Sequence, residues 1–139
     1  MTKATKIPNA ALNVLANAYI LEFSNGYLRF YDNAEPGVNS ALSGNNLLHE
    51  CRFQTTAAPA AVNGLITFNS LTTATILLSG TVTFARAFKS DGTTVIGQYN
   101  VGVAASVACI TVPSTTLVAG VSWTAGTFTH AIPGATTGL

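Results

Sequence analysis

The chain has 139 residues, of which 48% are hydrophobic but only 8% are charged, whereas soluble domains usually carry about a quarter charged residues. Its formal net charge is +1 and it has no cluster of Lys and Arg, which argues against nucleic acid as a partner because phosphate binding needs clustered cations. No stretch approaches the roughly 18 apolar residues of a membrane-spanning helix, so no membrane partner is expected either.

The missing charges must be replaced by other residues, and 20 Thr and 21 Ala take much of their place. Small and hydroxylated side chains lose little hydration and little rotamer freedom on burial, whereas Lys and Glu resist burial and are depleted in interface cores. We therefore expect a surface suited to being covered by other protein. The alternative is a neutral globular domain without such a role.

The N-terminal residues 1–8 include Lys3 and Lys6 but show no apolar periodicity, so they are predicted to form an arm. In the segment 9–18, leucine and alanine residues recur at near-helical spacing. The segment begins at Asn9, a residue type that often caps helix N-termini. This pattern predicts a short helix.

The period then changes from helix to strand. Segments 19–23 and 27–31 are rich in β-forming residues and flank Asn25-Gly26, the dipeptide that type I′ turns favour. We therefore predict a β-hairpin, with Leu28 and Phe30 of its second strand facing the core.

A long loop is predicted over 32–46, where Asn, Gly, Ser and Pro predominate. A second hairpin is predicted around Asp91-Gly92, with Val82, Phe84 and Phe88 alternating on one face of its first strand. Strands are predicted at 47–53, 65–69, 81–89, 94–101, 107–112 and 121–130, while 71–78 is left undecided between a strand and an extended connection.

Short strands at regular spacing, without helices between them, predict an all-β fold. We expect a single-domain β-sandwich or jelly roll of about eight antiparallel strands with a short N-terminal helix. In this organisation residues 1–8 are the arm, 9–131 the β-sandwich (jelly-roll) domain and 132–139 a C-terminal tail.

Residues that could perform chemistry are few and scattered. In the run from His49 to Arg52, alternate strand residues point to opposite faces, so His49 and Cys51 cannot share a site with Glu50 and Arg52. Glu50 and Arg52 are interpreted as an ion pair on one face. No catalytic, cofactor-binding or metal-binding residue is predicted, and the chain is expected not to be an enzyme.

The two cysteines, Cys51 and Cys109, lack CxxC spacing, and no signal-peptide pattern begins the chain. The expectation is two free thiols in a protein made in a reducing cytoplasm. A zinc site would need these cysteines to converge with His49 and His130 from four separate strands, which is not favoured.

Five residues are candidates for contact with another protein: Lys3, Lys6, Arg29, Tyr31 and Arg86. The first two lie on the arm, and Arg29 and Tyr31 lie on the non-core face of their strand. Arg86 is in phase with phenylalanines, so it is either a buried, paired arginine or an interface anchor. Trp123 is expected in the core rather than exposed.

The order of these features resembles a known family. After the short Ala/Asn/Leu helix come YLRFYDNAEP, ALSGNNLLHECRF, FARAFKSDGTTVIGQYNVG and VAGVSWTAGTFTH. The chain looks like the capsid-cementing, or decoration, proteins of tailed bacteriophages, and is similar to the jelly-roll cementing protein of a short-tailed phage. It departs from that pattern at Asp32-Asn33, where Asp-Gly would be expected, but Asn tolerates the same left-handed conformation.

The resemblance implies a structural virion protein that binds the exterior of an icosahedral capsid and bridges copies of the major capsid protein. It also implies self-association, as a homodimer or alternatively a trimer, and no cofactor. The competing hypothesis is a β-sandwich of a phage tail or fibre that recognises a carbohydrate or receptor, with Tyr27, Tyr31 and Trp123 as stacking platforms.

Overall fold

The computed structural model describes residues 6–103, 108–123, 125–126 and 128–132. Within them lie one helix, α1 (Asn9–Glu22), and eleven strands. In chain order the strands are β1 (Tyr27–Tyr31), β2 (Leu47–Arg52), β3 (Leu65–Thr67), β4 (Ala74–Thr75), β5 (Gly80–Thr81), β6 (Phe84–Phe88), β7 (Val95–Val103), β8 (Ile110–Val112), β9 (Thr116–Leu117), β10 (Ser122–Trp123) and β11 (Thr129–Ala131).

The largest sheet has five strands in the order β2-β1-β6-β7-β8. Three two-stranded sheets accompany it and pair β10 with β4, β11 with β3, and β5 with β9.

The expected all-β class is therefore present, with strands as the main structure and one helix. The expectation of antiparallel strands throughout was wrong, because β8 runs parallel to β7. The strand expected over 121–130 is two separate short strands, β10 and β11.

Helix α1 is longer than the sequence pattern suggested. The predicted strand at 19–23 is instead the end of the helix, which reaches Glu22. Leu12, Ala16 and Ile20 are spaced four residues apart and all are buried, so the apolar stripe that anchors the helix continues through the β-forming residues. Asn9 is not the N-cap; Pro8 occupies that position, and its carbonyl accepts the first helical hydrogen bonds, from the Ala11 and Leu12 amides.

The Asn25-Gly26 pair ends this helix instead of turning a hairpin. Asn25 has a positive φ of 56°, but Gly26 does not, so the two positive φ values of a type I′ turn are absent. The Gly26 amide donates to the Phe23 carbonyl, 2.8 Å away, which closes the turn between α1 and β1. The predicted hairpin was wrong because a helix end and a hairpin use the same left-handed residue types.

The second predicted hairpin, between β6 and β7, is confirmed. The Asp91 carboxylate accepts hydrogen bonds from the Thr93 and Thr94 amides, each 2.8 Å long, and Gly92 has a φ of 74°. The predicted face was partly wrong. Val82 lies before the strand and packs in the main core, whereas Phe84 and Phe88 belong to a second cluster on the opposite face of the sheet.

The main core lies against one face of the five-stranded sheet, where Leu28 and Phe30 are fully buried as predicted. Two asparagines of α1 tie the helix to the turn before β3: Asn17 Oδ1 accepts the Ala61 amide at 2.8 Å, and Asn13 Oδ1 accepts the Gly64 amide at 2.9 Å. Among the described residues, no helix is both long enough and apolar enough to cross a membrane.

The predicted arm and tail fall mostly outside the described residues. Residues 1–5 and 133–139 are not among them. Of the rest, Lys6 is exposed, while the Ile132 amide donates to the Gly64 carbonyl and its side chain packs on the main core.

Replacing Gly26 by Ala should destabilise the fold, because a Cβ there would lie 2.4 Å from the Phe88 carbonyl oxygen and 3.0 Å from that of Phe23. Backbone atoms cannot rotate away, so we expect the free energy of unfolding to fall by about 3 kcal/mol. Urea denaturation measures it. In the control Gly37→Ala the nearest atom, Ser40 Oγ, is 3.4 Å away. Equal stability of both variants would contradict the prediction.

Candidate protein-contact surface

The face of the five-stranded sheet that points away from the main core carries a row of polar side chains. The strand registers place Glu50 of β2 opposite Arg29 of β1, Arg29 opposite Arg86 of β6, and Arg86 opposite Gln98 of β7. We call these four residues the polar row. It sets two arginines directly opposite each other, an arrangement that is unfavourable unless each guanidinium has its own acceptors.

Arg29 turns toward β2 and the β6–β7 turn. Its Nε donates to Glu50 Oε2 at 2.6 Å and its Nη1 donates to the Gly92 carbonyl at 2.8 Å. The guanidinium also lies 5.0 Å from the Tyr27 ring and 4.6 Å from the Phe88 ring. Arg29 is therefore half-buried and already engaged within its own chain.

Arg86 turns the other way and is 3% exposed. Its Nε donates to Gln98 Oε1 at 2.9 Å, and its Nη2 donates to the carbonyls of Gly37 and Ser40, at 3.2 and 3.1 Å. Gln98 in turn donates to the Pro36 carbonyl at 2.7 Å. Of the two interpretations of Arg86, the buried and paired one is what the structure shows.

These bonds fold the predicted long loop back over the sheet. Tyr31, Phe84 and Phe88 form a small apolar cluster on this face, and Leu42 of the loop packs against it. Asn33 adopts the left-handed conformation expected of it, with a φ of 60°, and its side chain donates to the Gly44 carbonyl. The loop over 32–46 thus covers the centre of this sheet face and does not project from it.

The five predicted contact residues therefore differ in how much surface they can offer. Lys3 lies outside the described residues, and Lys6 is exposed beside the start of α1. Arg29 is half-buried, while Tyr31 and Arg86 are buried under the loop. The structure brings Arg29, Tyr31 and Arg86 to one face but leaves the last two almost no surface for a partner.

The segment from His49 to Arg52 alternates as expected, with His49 and Cys51 buried and the other two facing out. The Glu50–Arg52 ion pair was wrong: Glu50 pairs with Arg29, since the cross-strand neighbour is closer than the next residue but one on the same strand. Arg52 instead donates to the Asn25 carbonyl and lies 4.3 Å from the ring of Tyr27.

Burial disfavours the charged forms of the thiol and the imidazoles inside the chain. Burial raises the pKa of the Cys51 thiol to about 11, and His49 Nε2 lies 3.2 Å from its sulfur. Burial also lowers the pKa of His49 and of His130, whose Nδ1 lies 2.8 Å from the Tyr99 hydroxyl. A buried neutral thiol is a poor nucleophile because the thiolate is the reactive form.

Neither a metal centre nor a catalytic cleft stands out in the described part of the chain. No group of three or more His, Cys, Asp and Glu residues there could hold a metal ion, and both cysteines are free thiols. A shallow groove of about 600 Å³ is lined by amides, hydroxyls, Arg52 and Phe53, without a carboxylate, imidazole or thiol. Such a lining offers hydrogen bonds but no acid or base.

The charged residues are unevenly distributed along the chain, a feature that local motifs do not reveal. No Lys, Arg, Asp or Glu occurs between residues 53 and 85 or between 92 and 139. The three two-stranded sheets are built from these two segments alone. One part of the fold is therefore free of formal charge, and counting charges by segment would have revealed this from the sequence.

This charge-free part exposes large apolar side chains on two loops that are hydrogen-bonded to each other. Leu77 is 60% and Leu78 45% exposed on one loop, and Val118 is 57% and Val121 50% exposed on the other. We call these four residues the apolar loop patch. A soluble monomer exposes single apolar residues freely, but a group of them on adjacent loops is typical of a surface that another molecule covers.

The backbone beneath the patch is fixed. The Ile76 amide donates a hydrogen bond to the Val121 carbonyl at 2.8 Å, and the Ile76 carbonyl accepts one from the Gly120 amide at 3.0 Å. The Ala119 amide donates to Ser79 Oγ at 2.9 Å. The first loop is also tied to the sheet, since the Leu77 amide donates to the Leu48 carbonyl. A partner would therefore meet a preformed surface and would not have to order these loops.

Comparisons with known proteins returned nothing: no family model, no curated protein and no solved structure matches this chain.

Arg86→Lys should loosen the loop over 32–46. Lysine keeps the charge but lacks the planar fork that reaches Gln98 and two loop carbonyls together. We expect the free energy of unfolding to fall by about 2 kcal/mol, the value of a hydrogen bond from a charged donor, and amide hydrogen exchange in the loop to accelerate. Arg52→Lys, at an exposed position, is the matched control. The role assigned to Arg86 is wrong if the two variants behave alike.

Stability should fall as the pH drops below about 6.5. Burial lowers the pKa of His49 and of His130 below the ordinary value of 6.5. Below that pH the unfolded chain therefore binds more protons than the native chain does, which favours unfolding. Denaturant titrations from pH 8 to pH 5 should give a constant free energy of unfolding at the alkaline end and a decline below pH 6.5. His130→Phe should reduce that slope. A flat wild-type profile would contradict the prediction.

Proposed function

We propose that this chain is a structural virion protein that binds the outer surface of an icosahedral phage capsid and cements neighbouring major capsid protein subunits. It acts without catalysis, as a homo-oligomer, and is made in the cytoplasm of a bacterial host before it joins the capsid exterior. The proposal combines the resemblance of the strand and turn segments to decoration proteins with one structural observation, the charge-free part of the fold and its apolar loop patch.

The patch suits this function because it is inexpensive to desolvate. Thr, Ser, Ala and Gly surround Leu77, Leu78, Val118 and Val121 in the sequence, so no Lys or Glu must lose its hydration when a partner covers the two loops. The preformed backbone also limits the entropy lost on binding. A contact of this type is suited to a flat protein surface rather than to a charged polymer.

Cementing follows from binding of this kind by mass action. A protein that binds the assembled shell but not the free subunits lowers the free energy of the assembled state. Many weak, identical contacts then add up across the shell, because a bridging molecule that is held at one subunit meets the next at high effective concentration. Individual contacts need not be strong.

The competing function, carbohydrate recognition at a tail or fibre, gains no support from the aromatic residues. The Tyr27 ring is flanked by Arg29 and Arg52, and Tyr31 is buried and stacked on Phe84. Trp123 packs against Phe30 and His49, with ring centroids 5.4 and 4.5 Å apart. Within the described residues, no aromatic side chain is exposed as a free stacking platform.

Binding to assembled shells of the cognate major capsid protein tests the proposal directly. Purified shells are mixed with the chain, separated by sedimentation, and the bound protein is counted. A cement should saturate at on the order of hundreds of copies per shell. No binding to shells, or a virion that carries the chain only at the tail and in far fewer copies, would overturn the proposal.

Val118→Lys and Leu77→Lys should each weaken shell binding by about tenfold or more, because each places a hydrated charge in the middle of the apolar loop patch. Both positions are exposed, so the fold should be retained. Ser90→Lys, which adds the same charge at the exposed β6–β7 turn, is the control and should bind as the wild type does. Equal affinities for all three variants would exclude the patch from the contact.

A further inference from the structure

The turn before β3 is built on Asn63-Gly64, the second Asn-Gly dipeptide of the chain. Asn63 has a φ of 53° and Gly64 a φ of 77°, and two positive φ values are what a type I′ turn requires. Val62 and Leu65 close the turn with two backbone hydrogen bonds, 3.1 Å long from the Val62 amide and 2.9 Å long from the Leu65 amide. Asn63 therefore lies at the tip of a tight turn, where it is exposed.

An Asn-Gly dipeptide contains a reactive pair of groups. The backbone nitrogen of the glycine can attack the side-chain carbonyl carbon of the asparagine, and glycine obstructs this attack least because it has no side chain. Among the described residues, nothing is hydrogen-bonded to the side chain of Asn63. The electrophile of the pair is thus free to reorient.

The nucleophile of the pair is held by α1. The Gly64 amide donates to Asn13 Oδ1 at 2.9 Å. Before this nitrogen can attack Asn63, it must leave Asn13, lose its proton and turn toward the side chain. The reaction therefore requires a local opening in which the turn separates from the helix.

The other Asn-Gly dipeptide, Asn25-Gly26, is held more firmly. The Gly26 amide donates to the Phe23 carbonyl at 2.8 Å, and the backbone is packed so closely that a Cβ on Gly26 would lie 2.4 Å from the Phe88 carbonyl oxygen. The side chain of Asn25 is engaged as well, because its Oδ1 accepts the Thr55 hydroxyl at 3.0 Å. Both reacting groups are fixed in this dipeptide, whereas only the nitrogen is fixed in the turn before β3.

We propose that Asn63 is a site of spontaneous deamidation and that the hydrogen bond from the Gly64 amide to Asn13 sets its rate. The Gly64 nitrogen forms a bond to Cγ of Asn63, and the bond from Cγ to Nδ2 breaks. The amide proton of Gly64 passes through water to Nδ2, which leaves as ammonia, and a five-membered succinimide remains. Water then adds to one of the two imide carbonyls and gives aspartate or isoaspartate at this position.

Both products change the charge-free part of the fold. Each places a carboxylate between residues 53 and 85, where the chain otherwise has no Lys, Arg, Asp or Glu. Isoaspartate also routes the main chain through the former side chain, which adds one carbon to the turn. Because a two-residue turn fixes the register of its strands, the added carbon displaces Gly64 from Asn13. The Gly64 carbonyl, which accepts the Ile132 amide at 3.0 Å, is displaced with it.

Ageing of the purified chain at mildly alkaline pH, followed by protease digestion and peptide mass spectrometry, tests the inference. In the wild-type chain Asn63 should deamidate faster than Asn25. Asn13→Ala should accelerate the reaction at Asn63 about fivefold, the factor that corresponds to the loss of one net hydrogen bond. Alanine is the best helix former, so α1 should be retained. An Asn63 that stays intact, or that reacts at the same rate in both chains, would overturn the inference.

Asn17→Ala is the matched control. It removes a bond of the same kind, between Asn17 Oδ1 and the Ala61 amide, but leaves the Gly64 amide bonded to Asn13. It should not accelerate deamidation of Asn63, and an effect equal to that of Asn13→Ala would contradict the assigned role. Asn25 reports on unfolding in the same molecules. If Asn13→Ala accelerates both asparagines by one factor, the reaction proceeds through global unfolding and the role of Asn13 is wrong.

Asn63→Asp separates the effect of the new charge from that of the lengthened main chain. Aspartate tolerates the left-handed conformation, so this variant should unfold at about the same urea concentration as the wild type. Aged wild-type chain that has accumulated isoaspartate should unfold at a lower urea concentration. Aged chain that is as stable as Asn63→Asp would contradict the predicted disruption of the turn.

Discussion

The distribution of charge constrains everything else about this molecule. Its six Lys and Arg and its five Asp and Glu all occur between residues 3 and 52 or between 86 and 91. The central strands of the main sheet come from these segments and place Arg29, Glu50 and Arg86 on the sheet face that points away from the main core. The remaining sheets, made from segments without any charge, must present Thr, Ser, Ala and apolar residues to their surroundings.

The polar row shows how the fold accommodates the charges that it has. Two arginines opposite each other on adjacent strands would repel, but Arg29 takes Glu50 and Gly92 as acceptors, while Arg86 takes Gln98 and the loop carbonyls. The buried arginine thereby fixes the path of a loop that has no regular secondary structure. This face is consequently covered by the chain itself, and most of the large exposed apolar side chains lie elsewhere, on the charge-free loops and on α1.

Much of the fold could be predicted from local patterns. The core positions of β1 follow from alternation, and the β6–β7 turn follows from Asp91-Gly92. The hairpin predicted at Asn25-Gly26 was wrong because the left-handed conformation of Asn occurs at helix ends as well as in hairpin turns. The β-forming residues 19–23 likewise suggested a strand, although Ile20 continues the helical spacing of Leu12 and Ala16. The parallel pairing of β8 with β7 depends on long-range packing, which no local pattern encodes.

The candidate site was harder to predict for a physical reason. Arg29 and Tyr31 were selected because they lie on the non-core face of their strand, and Arg86 because arginine favours interfaces. Each of these properties is equally compatible with burial within the chain. Burial is decided by the long loop, whose path depends on hydrogen bonds to Arg86 and Gln98 that a sequence pattern does not show. The apolar loop patch was missed because its residues are ordinary one by one, and only the absence of charge around them is unusual.

An uncovered apolar surface that carries no charge is consistent with the proposal that the chain contacts a capsid shell. The central claim is that the charge-free part of the fold is the part that meets the capsid. A cryo-EM map of the intact particle tests this claim most directly. It should show the chain on the capsid exterior, with the loops of Leu77 and Val118 against the major capsid protein and the polar row turned away from it. A map in which those loops face solvent and the polar row contacts the shell, or in which the chain occurs only at the tail, would contradict it.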